Sequence, residues 1–129
     1  MTEALDPRRP WYHGSPVRLT ALRTGSSITQ DRDLARVFSH RPRLVSVDDD
    51  GGLKHDGSLP GYLYVVAEEV REPDVLPHPR SSMAPAKEWL TTRPLWVELI
   101  GRTKVRADEA LSESEVRRLK ERLGEVRIV

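Results

Sequence analysis

The chain has no cysteine among its 129 residues. That removes disulfides, thiolate zinc sites and cysteine nucleophiles from consideration. It also has no apolar run approaching the length of a membrane span, and its polar start, Met1 to Pro10, lacks the apolar core of a signal peptide. A cytoplasmic protein without membrane contact is expected. A dominant charge is missing too: 21 basic residues face 20 acidic ones, for a net charge of +1. Proteins built mainly to coat nucleic acid carry a marked basic excess, so nucleic acid is not an expected partner. What the chain does have is 37% hydrophobic and 32% charged residues, the balance of a soluble globular domain with a modest core. Seventeen of the basic residues are Arg, so local anion sites are easy to build from guanidinium forks.

Residues 1–10 read as a loose, proline-ended tail and 11–129 as one domain without internal repeats. Trp11-Tyr12 is a short strand running into the turn His13-Gly14-Ser15-Pro16. Val17, Leu19 and Leu22 alternate weakly before a loop that ends at Gly25, and Ser26 to Thr29 form a second short strand. Thr29 is the expected N-cap of a helix of about three turns whose apolar face is Leu34, Ala35, Val37 and Phe38. Pro42 stops it. Arg43 to Ser46 reads as extended, and everything from Asp48 to Ser58 as loop. The aspartates at 48 to 50 lack the spacing and distal glutamate of an EF-hand, so they read as a solvated turn, and no metal site is expected.

Gly61 to Ala67 is the strongest strand, rich in aromatic and β-branched residues. Pro73 to Val75 leads into a short strand, and His78 to Pro85 is a proline-broken loop. Leu95 to Ile100 is a second clear strand, which Thr103 to Val105 continues. Ser112 and Glu115 have the spacing of a capping box, opening a helix with Val116, Leu119 and Leu123 on one face. Gly124 ends that helix, and Val126 to Val129 read as an edge strand. His40, His55 and His78 sit in turn-rich polar surroundings and are assigned no role.

Three features stand in a telling order: Tyr12-His13-Gly14-Ser15, then Ser27-Ile28-Thr29 with the helix ending Val37-Phe38, then Glu88-Trp89-Leu90-Thr91. From about Trp11 to Ile100 the chain resembles the ADP-ribosyltransferase superfamily. The layout around Ser26 to Gln30 and around Thr92-Arg93-Pro94-Leu95-Trp96-Val97 is most similar to the small rifampin ADP-ribosyltransferases. The resemblance implies an α+β fold: a split β-sandwich of two small, mostly antiparallel sheets, with one internal helix and a C-terminal helix outside.

It also implies NAD as co-substrate, cleaved between nicotinamide and ribose through an oxocarbenium-like transition state. His13 would hydrogen-bond the adenosine ribose or the diphosphate, and the backbone of Gly14 would pair with the nicotinamide carboxamide. Glu88 would accept the 2′-hydroxyl of the nicotinamide ribose and stabilise developing positive charge. Tyr12, Ser15, Ser27, Thr29 and Phe38 complete the cofactor-binding set. ADP-ribose would then pass to an acceptor, with a small molecule favoured by the rifampin-like pattern.

Ser27 departs from that pattern, since relatives place a stacking tyrosine there. Phe38 can stack in its stead, and Tyr62 and Tyr64 are further candidates. The same fold also accommodates a module that binds nucleotide without turnover, and a toxin or effector that modifies a macromolecule. Taken singly, Glu88 reads equally as an exposed carboxylate beside Lys87, and Phe38 as a core residue.

Overall fold

A computed structural model describes residues 8–47, 50, 52–79 and 87–124 (of 123 and 124, the backbone only). The fold is α+β. Its centre is the strand that composition marks most strongly, Gly61–Val66 (β6). This strand lies between Tyr12–Ser15 (β1) and Leu95–Thr103 (β9), and Ala21–Leu22 (β2) closes the far edge of the sheet. A second sheet joins Ser27–Ile28 (β3), Trp89–Thr91 (β8) and Val75–Pro77 (β7). Val45–Val47 (β4) and Leu53–His55 (β5) form a separate hairpin. The ladders between these strands are all antiparallel.

The core lies between the first two sheets. Trp11, Leu22, Ile28, Tyr64, Val75, Trp89, Leu95 and Val97 are buried together there. Trp11 meets Trp89 edge to face at 5.7 Å, the arrangement the ring quadrupoles favour. Arg93, in the turn between β8 and β9, is held by Glu68 at 2.7 Å and Asp74 at 2.9 Å, which fixes the second sheet to the first.

The other face of the first sheet carries the helix Arg32–Phe38 (α1), in contact with β1 and β6. Its close approach requires glycine at two positions. A Cβ on Gly14 would stand 1.9 Å from the Ala35 carbonyl oxygen, and one on Gly61 would stand 2.5 Å from that of Ser39. The C-terminal helix Glu113–Gly124 (α2) starts on the expected capping box: Glu115 N–H donates to Ser112 Oγ, and Ser112 N–H to Glu115 Oε1. No helix among the described residues is long and apolar enough to cross a membrane.

Several expectations need correction. There are three sheets among the described residues, not two. The N-cap of α1 is Asp31, whose carboxylate accepts from Asp33 and Leu34, while the Thr29 hydroxyl accepts from Asp31 N–H one step earlier. The helix spans seven residues, about two turns, and ends before Pro42 because Arg41 takes a left-handed φ of 56°. The 48–58 stretch contains β5: a partner in β4 supplies the ladder that local sequence cannot announce. Pro73 lies in a 3₁₀ turn, Glu72–Asp74, ahead of β7. β9 runs unbroken to Thr103, absorbing a register shift opposite Leu63/Tyr64. Residues 1–7 of the tail, Asp48 and Asp49, most of the 78–85 loop and the edge strand at 126–129 lie outside the described residues.

Candidate functional site

The backbone of β1 is joined to the segment of β3 by a bridge between Tyr12 and Thr29, the residue after β3. Tyr12 N–H donates to Thr29 O at 2.7 Å and Thr29 N–H to Tyr12 O at 3.0 Å. Beyond that bridge the strands part. Alternate residues of a strand aim their backbone polar groups at the same edge, so Gly14 N–H and C=O face the gap as those of Tyr12 face β3. The gap is a cleft of about 350 Å³. All eight residues expected at the site line it: Tyr12, His13, Gly14, Ser15, Ser27, Thr29, Phe38 and Glu88.

His13 bridges the split. Its Nδ1 lies 2.6 Å from the Ser27 carbonyl oxygen. A carbonyl only accepts, so the proton sits on Nδ1 and Nε2 keeps a lone pair, without a protein partner among the described residues. Burial lowers the His13 pKa, the Ser27 carbonyl opposes that, and the charge of Arg41 lowers it further. The neutral imidazole thus offers an acceptor to a ligand hydroxyl.

Gly14 has two jobs. Its missing side chain admits the Ala35 carbonyl from behind, so the glycine is required by packing as well as by access to its backbone. Ser15 is buried, and its hydroxyl accepts from Val17 N–H at 3.1 Å to close the turn. Phe38, the last residue of α1, is half-buried at the cleft wall. Glu88, immediately before β8, is half-buried, and its carbonyl accepts from His78 N–H. Lys87 pairs with Asp31 at 3.2 Å, tying the segment that bears Glu88 to the cap of α1.

Tyr62 and Tyr64 do not line the cleft. Both turn toward the core, where Tyr64 OH accepts from Leu19 N–H at 2.7 Å and donates to Val17 O. Sequence reasoning missed Arg41, which lines the cleft. Its left-handed backbone follows a helix end that reads, from sequence, as a simple proline stop.

It also missed a buried cluster. His40 and His55 are fully buried and Glu109 nearly so, despite their turn-rich surroundings. The imidazoles lie parallel, with ring centroids 5.4 Å apart. His40 Nδ1 meets Leu59 O at 2.6 Å. His55 Nδ1 accepts from Gly57 N–H, so its proton sits on Nε2, 3.3 Å from Glu109 Oε2. Glu109 Oε1 accepts from Arg36 at 2.8 Å and from Arg106 N–H at 2.6 Å. One ring nitrogen from each His and a Glu109 oxygen fall within 4.8 Å of one another, close enough for a cation. His40 Nε2, His55 Nε2 and Glu109 Oε2 are buried without a hydrogen-bond partner among the described residues, so the cluster's own contacts do not satisfy it. Burial lowers the His55 pKa against the pull of Glu109. For Glu109, burial acts upward, but Arg36 and the Arg106 N–H outweigh it and hold the carboxyl at about 2.

No protein-family model matches this chain, and neither a curated protein nor a solved structure matches it.

Proposed function

We propose that the cleft binds NAD and that the protein is an NAD-dependent ADP-ribosyltransferase of the split-sandwich type. One observation carries the reading: residues up to 75 positions apart in sequence, from His13 to Glu88, line one cleft that also exposes the Gly14 backbone edge. The volume lies at the small end of ligand sites, about 300–1,000 Å³.

The roles follow from the chemistry of each group. Gly14 N–H and C=O match the carbonyl and amino group of a carboxamide. Nε2 of His13 accepts a ribose hydroxyl, and Arg41 supplies positive charge beside it for the diphosphate. Phe38 is the ring placed to stack on nicotinamide. The Glu88 carboxylate binds the 2′-hydroxyl and stabilises the cation that develops as nicotinamide leaves. Acceptor or water then attacks from the open side.

Incubation with NAD should release free nicotinamide, and Glu88→Ala should lower that rate by about 100-fold or more with the melting temperature unchanged. Full activity in the variant would remove Glu88 from the mechanism. An absence of both heat and thermal shift on titrating NAD into the wild type would remove the ligand.

Ser27 supports a second reading, binding without turnover. It lines the cleft where relatives are expected to carry a stacking tyrosine, leaving Phe38 to hold the leaving group alone. Saturable NAD binding with no nicotinamide formed would favour it.

A further inference from the structure

On the far side of α1 from Phe38 lies a larger groove, about 690 Å³. Arg32 and Arg36 of α1 line one wall, and Arg102, Lys104 and Arg106, from β9 and its continuation, line the other. Among the described residues Asp33 is the only acid lining it, and that carboxylate is engaged by Arg36 at 2.9 Å. Arg36 is further neutralised by Glu109. Arg32, Arg102, Lys104 and Arg106 are exposed, and none has a carboxylate within ion-pair distance among the described residues.

Five cations against one acid, in a chain whose net charge is +1, is a strong local segregation. Like charges gathered in a concave surface repel one another, and an anionic occupant relieves that repulsion. On one wall, positions 102, 104 and 106 alternate along the chain, and all three reach the groove. A line of charges suits a polyanion better than a single phosphate. Four of the five are arginines, whose planar forks match phosphate oxygens in pairs. At the groove's end Arg32 lies over the ring of Tyr12, 5.9 Å from its centroid, and Tyr12 also lines the candidate NAD cleft.

We propose that this groove binds the phosphodiester backbone of a single-stranded nucleic acid. The proposal departs from the expectation drawn from net charge, which averages over the whole surface and hides a patch. The strand would run from the basic groove toward Tyr12, bringing one end of it to the mouth of the cleft. The proposal stands on the groove alone and holds whether or not the cleft turns NAD over.

The test is fluorescence anisotropy of a fluorescein-labelled 20-nucleotide single strand, DNA and RNA, titrated with the full chain at several salt concentrations. With four unpaired cations, the logarithmic salt slope should be about −3. The triple variant Arg102→Ala, Lys104→Ala, Arg106→Ala should bind at least about tenfold more weakly at 50 mM salt, with the slope reduced in size by about 2. A matched variant, Arg117→Ala, Arg118→Ala, Lys120→Ala, removes the same charge from exposed positions of α2 and should stay within about twofold of wild type. Equal weakening by both triples would reduce the effect to net charge and overturn the groove. Absence of binding at 50 mM, or binding of polyglutamate but not the oligonucleotide, would overturn the ligand. Glu88→Ala should bind the strand as wild type does, so failure of the enzyme reading and failure of this one are separable.

Discussion

Two imidazoles pack near α1, His13 from β1 and His55 from β5, and in both burial lowers the proton affinity. His55 faces protein at both nitrogens: Gly57 N–H donates to one, and the Glu109 carboxylate lies 3.3 Å from the other, with Arg36 behind Glu109. His13 has one nitrogen fixed by the Ser27 carbonyl and the other open to a cleft. The first arrangement is enclosed by protein on every side. The second is satisfied only when something enters. Burial of a polar side chain therefore does not separate architecture from function in this protein; an uncommitted lone pair facing a void does.

The largest expected effect removes the partition between the two regions. Gly14→Ala places a methyl group 1.9 Å from a backbone oxygen of α1, where no side-chain rotation relieves it. A loss of about 3 kcal/mol or more is expected in denaturant unfolding; a stable, fully folded variant would show that α1 sits further from β1. Next, the comparison itself is broken by a crossed pair. Glu109→Gln removes the charge that Arg36 and His55 face and should cost about 3 kcal/mol while NAD binding survives. His13→Gln should cost about 1 kcal/mol and abolish NAD binding. If both variants lose stability alike, the distinction between the two imidazoles fails.

Acidification reaches both at once. Each His has its pKa lowered in the fold, so the unfolded chain binds more protons once the pH drops below the ordinary value near 6.5. Stability is full above that value and falls below it. Glu109, held at about 2, adds a second loss between its ordinary 4.5 and 2. Melting temperature should fall measurably between pH 7 and pH 5, and a flat profile would mean that the imidazoles titrate freely. The smallest effect expected is that of Phe38→Leu, which keeps volume but not the π face. NAD affinity should drop about fivefold by calorimetry, with stability changed by less than about 1.5 kcal/mol.

Much of this was legible in the sequence because it is local. The β-branched and aromatic run at Gly61 to Val66 announced the central strand, and Ser112 with Glu115 announced the start of α2. The residues of the candidate cleft were legible as a set through the resemblance, and the fold brings them to one place. What escaped is what depends on distant partners. His40 and His55 sit among turn formers, and only the return of the chain at Glu109, with the parallel bridge from His55 to Ala110, encloses them. β5 needed β4, and Tyr64 was claimed by the Leu19 amide rather than by a ligand. Local composition carries no trace of such appointments.

The position of Arg41 has one more consequence. The residue before it, His40, is pinned by Leu59 and stacked on His55, and Arg41 N–H is itself held by the Phe38 carbonyl. Arginine keeps this left-handed backbone where glycine would hold it with less strain. The cation of the cleft is consequently bolted to the protein's interior through its neighbour. An incoming anion meets a guanidinium whose anchor is set in advance, so the ordering of that wall has been completed during folding rather than at the moment of binding.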